Sequence, residues 1–136
     1  MTLSELQVGE LLAALGERTP APASGAATAL TAAIAGALVE LAGRFAGDEE
    51  SVVRAKVLWS RLSELADEDS AAYTAFMADR NDETRARTIA VPEEIAACAD
   101  ELAALAEHVR GQLRSSVVGE GIAVVARNGH FSFGTL

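Results

Sequence analysis

Apolar residues recur every three or four positions along most of the chain, the spacing that places side chains on one face of an α-helix. The sequence therefore predicts an all-α protein, an antiparallel bundle of four to five helices. A first helix begins at Thr2 and Glu5, which have the spacing of a capping box, and ends near Gly16. Its predicted apolar face consists of Val8, Leu12 and Leu15.

A second helix follows a connector at Thr19 to Pro22, because proline disfavours helical backbone in the residue before it. Ser24 is its predicted N-cap. One stripe along this helix consists of large residues, namely Leu30, Ile34, Leu38, Leu41 and Phe45. Another consists of small residues that permit close backbone approach, namely Gly25, Ala29, Ala32, Gly36 and Gly43. Two packing faces on one helix predict that one is intermolecular, so we expect a homodimer or higher symmetric oligomer.

The third predicted helix, after Gly47-Asp48, carries an acidic residue within its apolar stripe. The stripe consists of Leu58, Leu62, Leu65, Asp69, Ala72 and Phe76. Asn81-Asp82 interrupts the pattern, and Pro92 is predicted to stand in the first turn of a fourth helix, where proline is tolerated. The apolar face of that helix consists of Ile95, Cys98, Leu102, Leu105 and Val109. Gly111 is the predicted C-cap.

The segment after Gly111 has two interpretations. In the first, Ser115 or Ser116 caps a last short helix that reaches about Ala126. In the second, Asn128-Gly129 forms the turn of a short C-terminal β-hairpin between residues 122–126 and 131–133. The pattern leaves both alternatives open.

Composition and charge exclude several classes of protein. The length of 136 residues predicts a single helical domain, residues 1–136. A net charge of -9 without clustered Lys and Arg predicts no nucleic-acid partner. The uncharged run 24–39 ends at Glu40, short of the roughly 20 residues a bilayer needs, so we expect a buried helix and no membrane partner. The N-terminus lacks signal-peptide order and Cys98 is the sole cysteine, which favours a cytoplasmic location.

Most motifs that carry catalysis are absent from the sequence. It has no P-loop, no dinucleotide-binding glycine motif, no paired cysteines and no His-Glu-x-x-His helix. We interpret His108 as a solvated residue near a helix end, His130 as a turn residue, and Cys98 as a small core residue. The sequence therefore predicts no metal site.

Asp69 is the strongest candidate for chemistry. A carboxylate on an apolar stripe must be paired, hydrogen-bonded or facing a polar cleft. Either the helix rotates so that Asp69 joins Asp67 and Glu68 on a solvated face, or Asp69 is the acid or base of a site. A second candidate is the group of arginines between the third and fourth helices, Arg80, Arg85 and Arg87. These either hold a carboxylate ligand or belong to a flexible charged loop.

Three motifs, in order, resemble a known family. Residues 20–27, Pro-Ala-Pro-Ala-Ser-Gly-Ala-Ala, resemble the Pro-x-Pro-Gly-Gly-Gly-Ser-Ala-Ala motif of the formiminotetrahydrofolate cyclodeaminase and methenyltetrahydrofolate cyclohydrolase family. Residues 69–73, Asp-Ser-Ala-Ala-Tyr, are similar to its Asp-x-x-Ala-Phe stretch. Residues 91–96, Val-Pro-Glu-Glu-Ile-Ala, are similar to its Val-Pro-Leu-Glu-Ile-Ala. The resemblance extends over roughly residues 6–111.

The resemblance implies an all-helical homodimer of folate one-carbon metabolism, in which the amidine or amidinium carbon of a tetrahydrofolate derivative is opened or closed. It implies that Asp69 stabilises the cation and relays protons. It implies a folate substrate and no cofactor or metal besides. The predicted substrate-binding positions within the resembling motifs are Pro22, Ser24, Gly25 and Tyr73. Arg85 and Arg87, from the group of arginines, are the other predicted substrate-binding positions.

The chain also departs from the family motifs. Ala23 and Ser24 replace two glycines of the Gly-rich turn, and Ala26 stands at the motif serine. The family's Gly-Asn-Pro-Asn, followed by a Ser-Asp pair, corresponds here to residues 111–116, which contain neither asparagine nor aspartate. These departures leave a second hypothesis open, a non-catalytic helical dimer of the same fold that binds a small molecule or a protein.

Overall fold

The computed structural model describes residues 1–22 and 24–113, and this part of the chain is helical without strands. A 3₁₀ turn at Leu3–Glu5 precedes helices α1 (Val8–Gly16), α2 (Ser24–Ala46), α3 (Glu49–Ala78) and α4 (Asp82–Gln112). Helices α2, α3 and α4 pack antiparallel to their neighbours in sequence, and α2 also contacts α4. The predicted all-α bundle is confirmed. The alternatives of a last helix or a hairpin concern residues outside the described part.

The connection between α2 and α3 shows why two long helices form rather than one. Gly47 has a φ of 70°, a left-handed conformation that glycine adopts without a Cβ penalty. The N–H groups of Gly47 and Asp48 donate to the carbonyls of Arg44 and Gly43, which is the Schellman arrangement at a helix C-terminus. Asp48 then caps α3 by accepting from the backbone N–H of Ser51 at 3.1 Å and from its hydroxyl at 2.6 Å. These contacts lower the pKa of Asp48 to about 2.

The core of the bundle is built largely from small residues of α2 packed against leucines of α3 and α4. The stripe predicted for close packing lies inside the chain: Ala29 and Ala32 are buried, and Gly36 lies between Trp59 and Leu102. A Cβ on Gly36 would lie 2.8 Å from Cβ of Trp59 and 3.1 Å from Cδ1 of Leu102. The main cluster consists of Ala26, Ala29, Leu30, Ala32, Ala33, Leu58, Leu62, Leu65, Ala66, Ile95, Ala99 and Leu102.

The large-residue stripe of α2 mostly points away from this core. Leu30 is buried, but Ile34 and Phe45 are 66% and 67% exposed, and Leu38 and Leu41 are also exposed. Helix α2 is long and apolar enough to cross a membrane by length and composition alone, and 39% of the apolar stretch is buried inside the structure. The core helix of a soluble protein can have the same length and apolar composition. Of the two apolar faces of α2, the small-residue face packs against α3 and α4, because it lets the helices approach most closely.

Helix α1 lies at the edge of the bundle and contributes no buried residue. Val8 and Leu12, on the predicted apolar face of this helix, do not face the core, since both side chains are exposed. Instead, Leu3 and Leu11 pack against the main core cluster. The 3₁₀ turn is held to α3 because the backbone N–H of Leu3 donates to Oδ1 of Asp67 at 2.9 Å.

The fourth helix begins ten residues before Pro92, the residue predicted for its first turn. Asn81 accepts from the backbone N–H of Thr84 at 2.9 Å, and this cap starts the helix at Asp82. Pro92 therefore lies inside the helix, where it lacks the N–H for one helical hydrogen bond. The cap and the packing of the following residues outweigh that loss. Gly111 is also helical, so its prediction as a C-cap is wrong.

Arg61 joins α3 to α4 through a group of carboxylates. Its guanidinium contacts Glu94 of α4 at 2.6 Å, Glu68 at 3.0 Å and Glu64 at 3.0 Å. The hydrogen bonds that Arg61 donates to Glu94 and Glu68 raise the pKa of Arg61, and Arg61 in turn lowers the pKa of Glu94. One cation is thus shared by three acidic side chains in a chain with a net charge of -9.

We expect Arg61→Gln to lower the free energy of unfolding by about 1 kcal/mol at low salt, because three carboxylates then repel one another without a cation. Added salt should reduce the difference. The control is Arg54→Gln, which removes an exposed pair with Glu101 alone. Urea denaturation at two salt concentrations measures both effects. Equal losses in the two variants would contradict a special role for the Arg61 group.

Candidate functional site

Three consecutive carboxylates of α3 point in three directions and have three different partners. Asp67 accepts from the backbone N–H of Leu3, and Glu68 pairs with Arg61. Asp69 lies against the start of α2, where its carboxylate is only partly exposed. The three residues therefore do not form one common solvated face.

The start of α2 encloses the carboxylate of Asp69. The backbone N–H of Ala26 faces this carboxylate and lowers its pKa through a hydrogen bond. The backbone of Gly25 lies so close that an added Cβ would be 2.5 Å from Oδ1 and 2.6 Å from Cγ of Asp69. The amino end of a helix carries partial positive charge, which favours an anion at this position. The structure thus brings together two residues singled out in the sequence, Gly25 and Asp69.

Burial has the larger effect on the pKa of Asp69. Removal from water disfavours the charged form and raises the pKa above its ordinary value, while the hydrogen bond from Ala26 opposes the rise. A partly buried carboxyl group with a raised pKa holds its proton more firmly than an exposed aspartate does, which suits a group that both accepts and donates a proton. Chemically, the group can accept a proton from water or donate one to a leaving amine.

Ser70, the next residue, was not singled out in the sequence. Its Oγ is buried and has no hydrogen-bond partner among residues 1–22 and 24–113. No pattern in the sequence identifies such a hydroxyl, because serine is common on helix surfaces and its burial depends on the packing of other helices.

The remaining predicted binding residues on α3 and α4 lie further along the bundle. Tyr73 follows Asp69 by one helical turn and is 39% exposed. At the end of α3, a cavity of about 220 Å³ is open to solvent and is lined by Phe76, Arg80, Asn81, Asp82 and Arg85. The guanidinium carbon of Arg80 lies 5.4 Å from the centroid of the Phe76 ring. Phe76 follows Asp69 by seven positions, which is roughly 10 Å along a helix.

Arg85 and Arg87 do not act as one group. Both lie in the first turns of α4 and are exposed, so the prediction of a flexible loop is wrong for them. Arg85 lines the cavity and Arg87 does not. The reason is geometric, since residues two positions apart on a helix point to different sides. Arg80, which the sequence grouped with them, shares the cavity with Arg85.

The residues before α2 complete the predicted set. Pro22 is partly buried and Ser24 is exposed at the first position of the helix. Ser24 is therefore helical rather than an N-cap preceding the helix. The hydroxyl of Thr28 donates to the carbonyl of Ser24 at 2.8 Å, a bond within the first turn.

The other reactive side chains of the described residues are elsewhere. Cys98 is partly buried between charged neighbours, and burial raises the pKa of its thiol, which disfavours the thiolate. His108 lies 3.4 Å from the Asp48 carboxylate, near the opposite end of the bundle from Asp69. Among residues 1–22 and 24–113, no three His, Cys, Asp or Glu side chains are grouped so that they could hold a metal ion.

Comparison with known proteins supports the family resemblance of the sequence. The family model described as formiminotransferase-cyclodeaminase matches residues 7–126, which is most of the chain. No curated protein and no solved structure matches the chain. The match includes α1 to α4 and with them Gly25, Asp69 and the arginines of α4. The chain therefore belongs to the formiminotransferase-cyclodeaminase family.

Proposed function

We propose that the chain binds a tetrahydrofolate derivative beside Asp69 and opens or closes its amidine or amidinium carbon. Family membership supports folate one-carbon chemistry in general. The observation that carries the finer proposal is the carboxylate of Asp69, half-buried at the start of α2 with a raised pKa. It is the described group best suited to exchange protons in a partly water-excluded place.

The proposed chemistry uses a carboxylate in both reaction directions. In the hydrolytic direction, water adds to the cationic amidinium carbon, one C–N bond breaks, and a proton is released. In the cyclising direction, the folate nitrogen outside the pteridine ring attacks the formimino carbon and its proton passes to the formimino nitrogen. The C–N bond to that nitrogen then breaks as one further proton is supplied, so that ammonia leaves and the cyclic amidinium cation forms. Asp69 stabilises the cation by its charge and carries the proton in either direction. Neither step requires a metal or a further cofactor.

The lining of the site fits an elongated ligand. From Asp69, the exposed face of α3 passes Tyr73 and reaches the cavity lined by Phe76 and Arg85. We infer that the aromatic residues contact a planar part of the ligand and that Arg85 holds a carboxylate. We place the partly buried Pro22 and the exposed Ser24, the chain neighbours of Gly25, on the opposite side of the ligand. Arg87 stays in this proposal as a more distant cation.

The replacement of the motif serine by Ala26 matters less than the sequence alone indicates. The Ala26 side chain is fully buried in the core, so a hydroxyl at this position would face α3 or α4 rather than solvent. The backbone N–H of Ala26, which any residue but proline supplies, is the group that reaches Asp69. The alternative function, a non-catalytic dimer that binds a small molecule or a protein, is favoured by the other departures in the Gly-rich turn, Ala23 and Ser24.

A folate titration separates these functions. Calorimetry with a reduced folate measures binding, and the absorbance of methenyltetrahydrofolate measures its turnover. Binding with turnover is the result expected for the proposed enzyme. Binding without turnover would support the non-catalytic alternative, and the absence of both would contradict the folate proposal.

We also propose that the chain is a homodimer joined through the exposed stripe of α2. The stripe, Ile34, Leu38, Leu41 and Phe45, is uncharged and extends over three turns of one helix. The small-residue stripe is already used inside the chain by Trp59 and Leu102, so the large-residue stripe is the face left for a second copy. A twofold axis across one helix brings the same apolar residues together from both copies. Such a patch is unusual on the surface of a monomer.

Ile34→Glu is expected to convert the dimer to a monomer, because each interface would bury two unpaired carboxylates. The matched control is Val53→Glu, which places the same charge at a valine of α3 that is 62% exposed, close to the 66% of Ile34. Sedimentation velocity at micromolar concentration measures the mass. A wild-type monomer, or an unchanged mass for Ile34→Glu, would contradict the proposed interface.

A further inference from the structure

We propose that Gly25 is a positioning residue for Asp69, whose role is to let the start of α2 approach the carboxylate without contacting a ligand itself. The catalytic meaning of this inference rests on the proposed function, since it concerns the group to which that function assigns the proton transfer. The structural claim stands on the contact between two helices and needs no ligand.

The absence of a side chain at position 25 is what leaves space for the carboxylate. A Cβ at this position would lie within 2.6 Å of Cγ and 2.5 Å of Oδ1 of Asp69, closer than side-chain atoms pack. An added Cβ at Gly9, Gly16 or Gly111 would have no atom of the described residues within 4 Å. Gly25 is thus required by its neighbour and not by helix geometry, because its φ is in the ordinary helical range.

The expected response at Gly25 differs from the response at the other tightly packed glycine. At Gly36 the nearest atom is Cβ of Trp59, which is fixed to the backbone of α3. At Gly25 the nearest atoms are the end of the Asp69 side chain, which moves away by rotation about its χ angles. Alanine at position 25 should therefore displace the carboxylate while α2 and α3 keep their places.

Displacement removes a favourable contact of the charged form of Asp69, the hydrogen bond from the Ala26 N–H. Within residues 1–22 and 24–113, no cation adds to that contact. The displaced carboxylate also leaves its place at the amino end of α2, where the partial positive charge of the helix favours an anion. The displaced carboxylate would no longer occupy the position beside a bound ligand that it has in the wild type.

NMR titration of Gly25→Ala tests this inference. In the wild type, the amide proton of Ala26 should shift with the same midpoint as the side-chain carboxyl carbon of Asp69. In Gly25→Ala that shared midpoint should be lost while the circular dichroism spectrum stays helical. Gly9→Ala, a change at a helical glycine without neighbours, should keep it. A shared midpoint retained in Gly25→Ala would overturn the inference.

A second variant covers the case in which Gly25→Ala fails to fold. Gly25→Ala combined with Asp69→Ala removes the colliding carboxylate and should recover the melting temperature of Asp69→Ala alone. The loss in melting temperature caused by Gly25→Ala is therefore compared in two backgrounds, the wild type and Asp69→Ala. An equal loss in both backgrounds would show that the added methyl group does not collide with Asp69, which overturns the inference. Neither readout uses folate, so loss of the proposed function alone would leave both results unchanged.

Discussion

Gly36→Leu is expected to lower the free energy of unfolding by about 3 kcal/mol, because it overfills a tightly packed part of the core. A Cβ alone would stand 2.8 Å from Cβ of Trp59 and 3.1 Å from Cδ1 of Leu102. Three further carbons have no space between α3 and α4, so the helices must separate and the core contacts around them weaken.

The matched control for this substitution is Gly9→Leu. Gly9 is also a helical glycine, but no atom lies within 4 Å of its added Cβ. Leucine favours a helix more than glycine does, so this variant should melt at or slightly above the wild-type temperature. Thermal and urea denaturation followed by circular dichroism compare the two. Wild-type melting of Gly36→Leu would mean that the small-residue stripe is not packed inside the chain.

The regular spacing of apolar residues predicted the central part of the fold correctly. The stripes of α3 and α4 that the sequence identified are largely buried, from Leu58 and Leu65 to Leu102 and Val109. These helices each have one apolar and one polar face, and only one orientation buries the apolar face. Local sequence therefore determines which side faces the core.

The orientation of α2 could not be predicted in the same way. Its large-residue face and its small-residue face are both apolar, so no polar side fixes its rotation. The choice is made by shape, since Gly36 and Gly43 admit Trp59 and Val52 of α3 at short distance. Such a fit depends on which residues of another helix lie opposite, and periodicity within one helix does not contain that information.

At the start of α4, two local sequence signals predict different helix boundaries, and the Asn81 cap outweighs Pro92. Proline is common in a first turn, and Pro92 therefore predicts that the helix begins close to it. The Asn81 cap and the bond to the N–H of Thr84 start the helix earlier and include the proline. The misplaced boundary also put Arg85 and Arg87 in a loop rather than on different sides of a helix.

Asp69 illustrates how far a site can be predicted from sequence. Its position in an apolar stripe indicates an unusual carboxylate, because a charge there must find a partner. The partner is a backbone N–H, and any residue but proline has one, so the sequence does not distinguish Ala26 from its neighbours. Only the antiparallel packing of α2 on α3 brings the two together.

Asp69→Asn is expected to lower turnover of the folate substrate by about 10²- to 10⁴-fold, the usual contribution of a general acid or base. The amide keeps the shape of the side chain and still accepts a hydrogen bond from Ala26, but it does not exchange the proton. Folate binding should change much less than turnover.

The stability of the same variant has a predicted sign and pH dependence. The folded pKa of Asp69 is raised, so its charge destabilises the fold at neutral pH, and this cost disappears as the pH falls below the unfolded pKa. Asp69→Asn should therefore be as stable as the wild type or more stable at neutral pH, with the difference vanishing in acid. Melting temperatures across a pH series measure this, and a less stable Asn variant at neutral pH would contradict it.

The most direct measurement compares wild type, Asp69→Asn and Asp67→Asn for methenyltetrahydrofolate turnover by absorbance, with folate binding followed by calorimetry in parallel. Asp67 is the matched control, because it lies two residues away on α3 and its carboxylate contacts the backbone of Leu3 instead of the start of α2. We expect turnover to be lost in Asp69→Asn, kept in Asp67→Asn, and folate binding to persist in both. Equal turnover in the wild type and Asp69→Asn would contradict the assignment of the chemistry to Asp69.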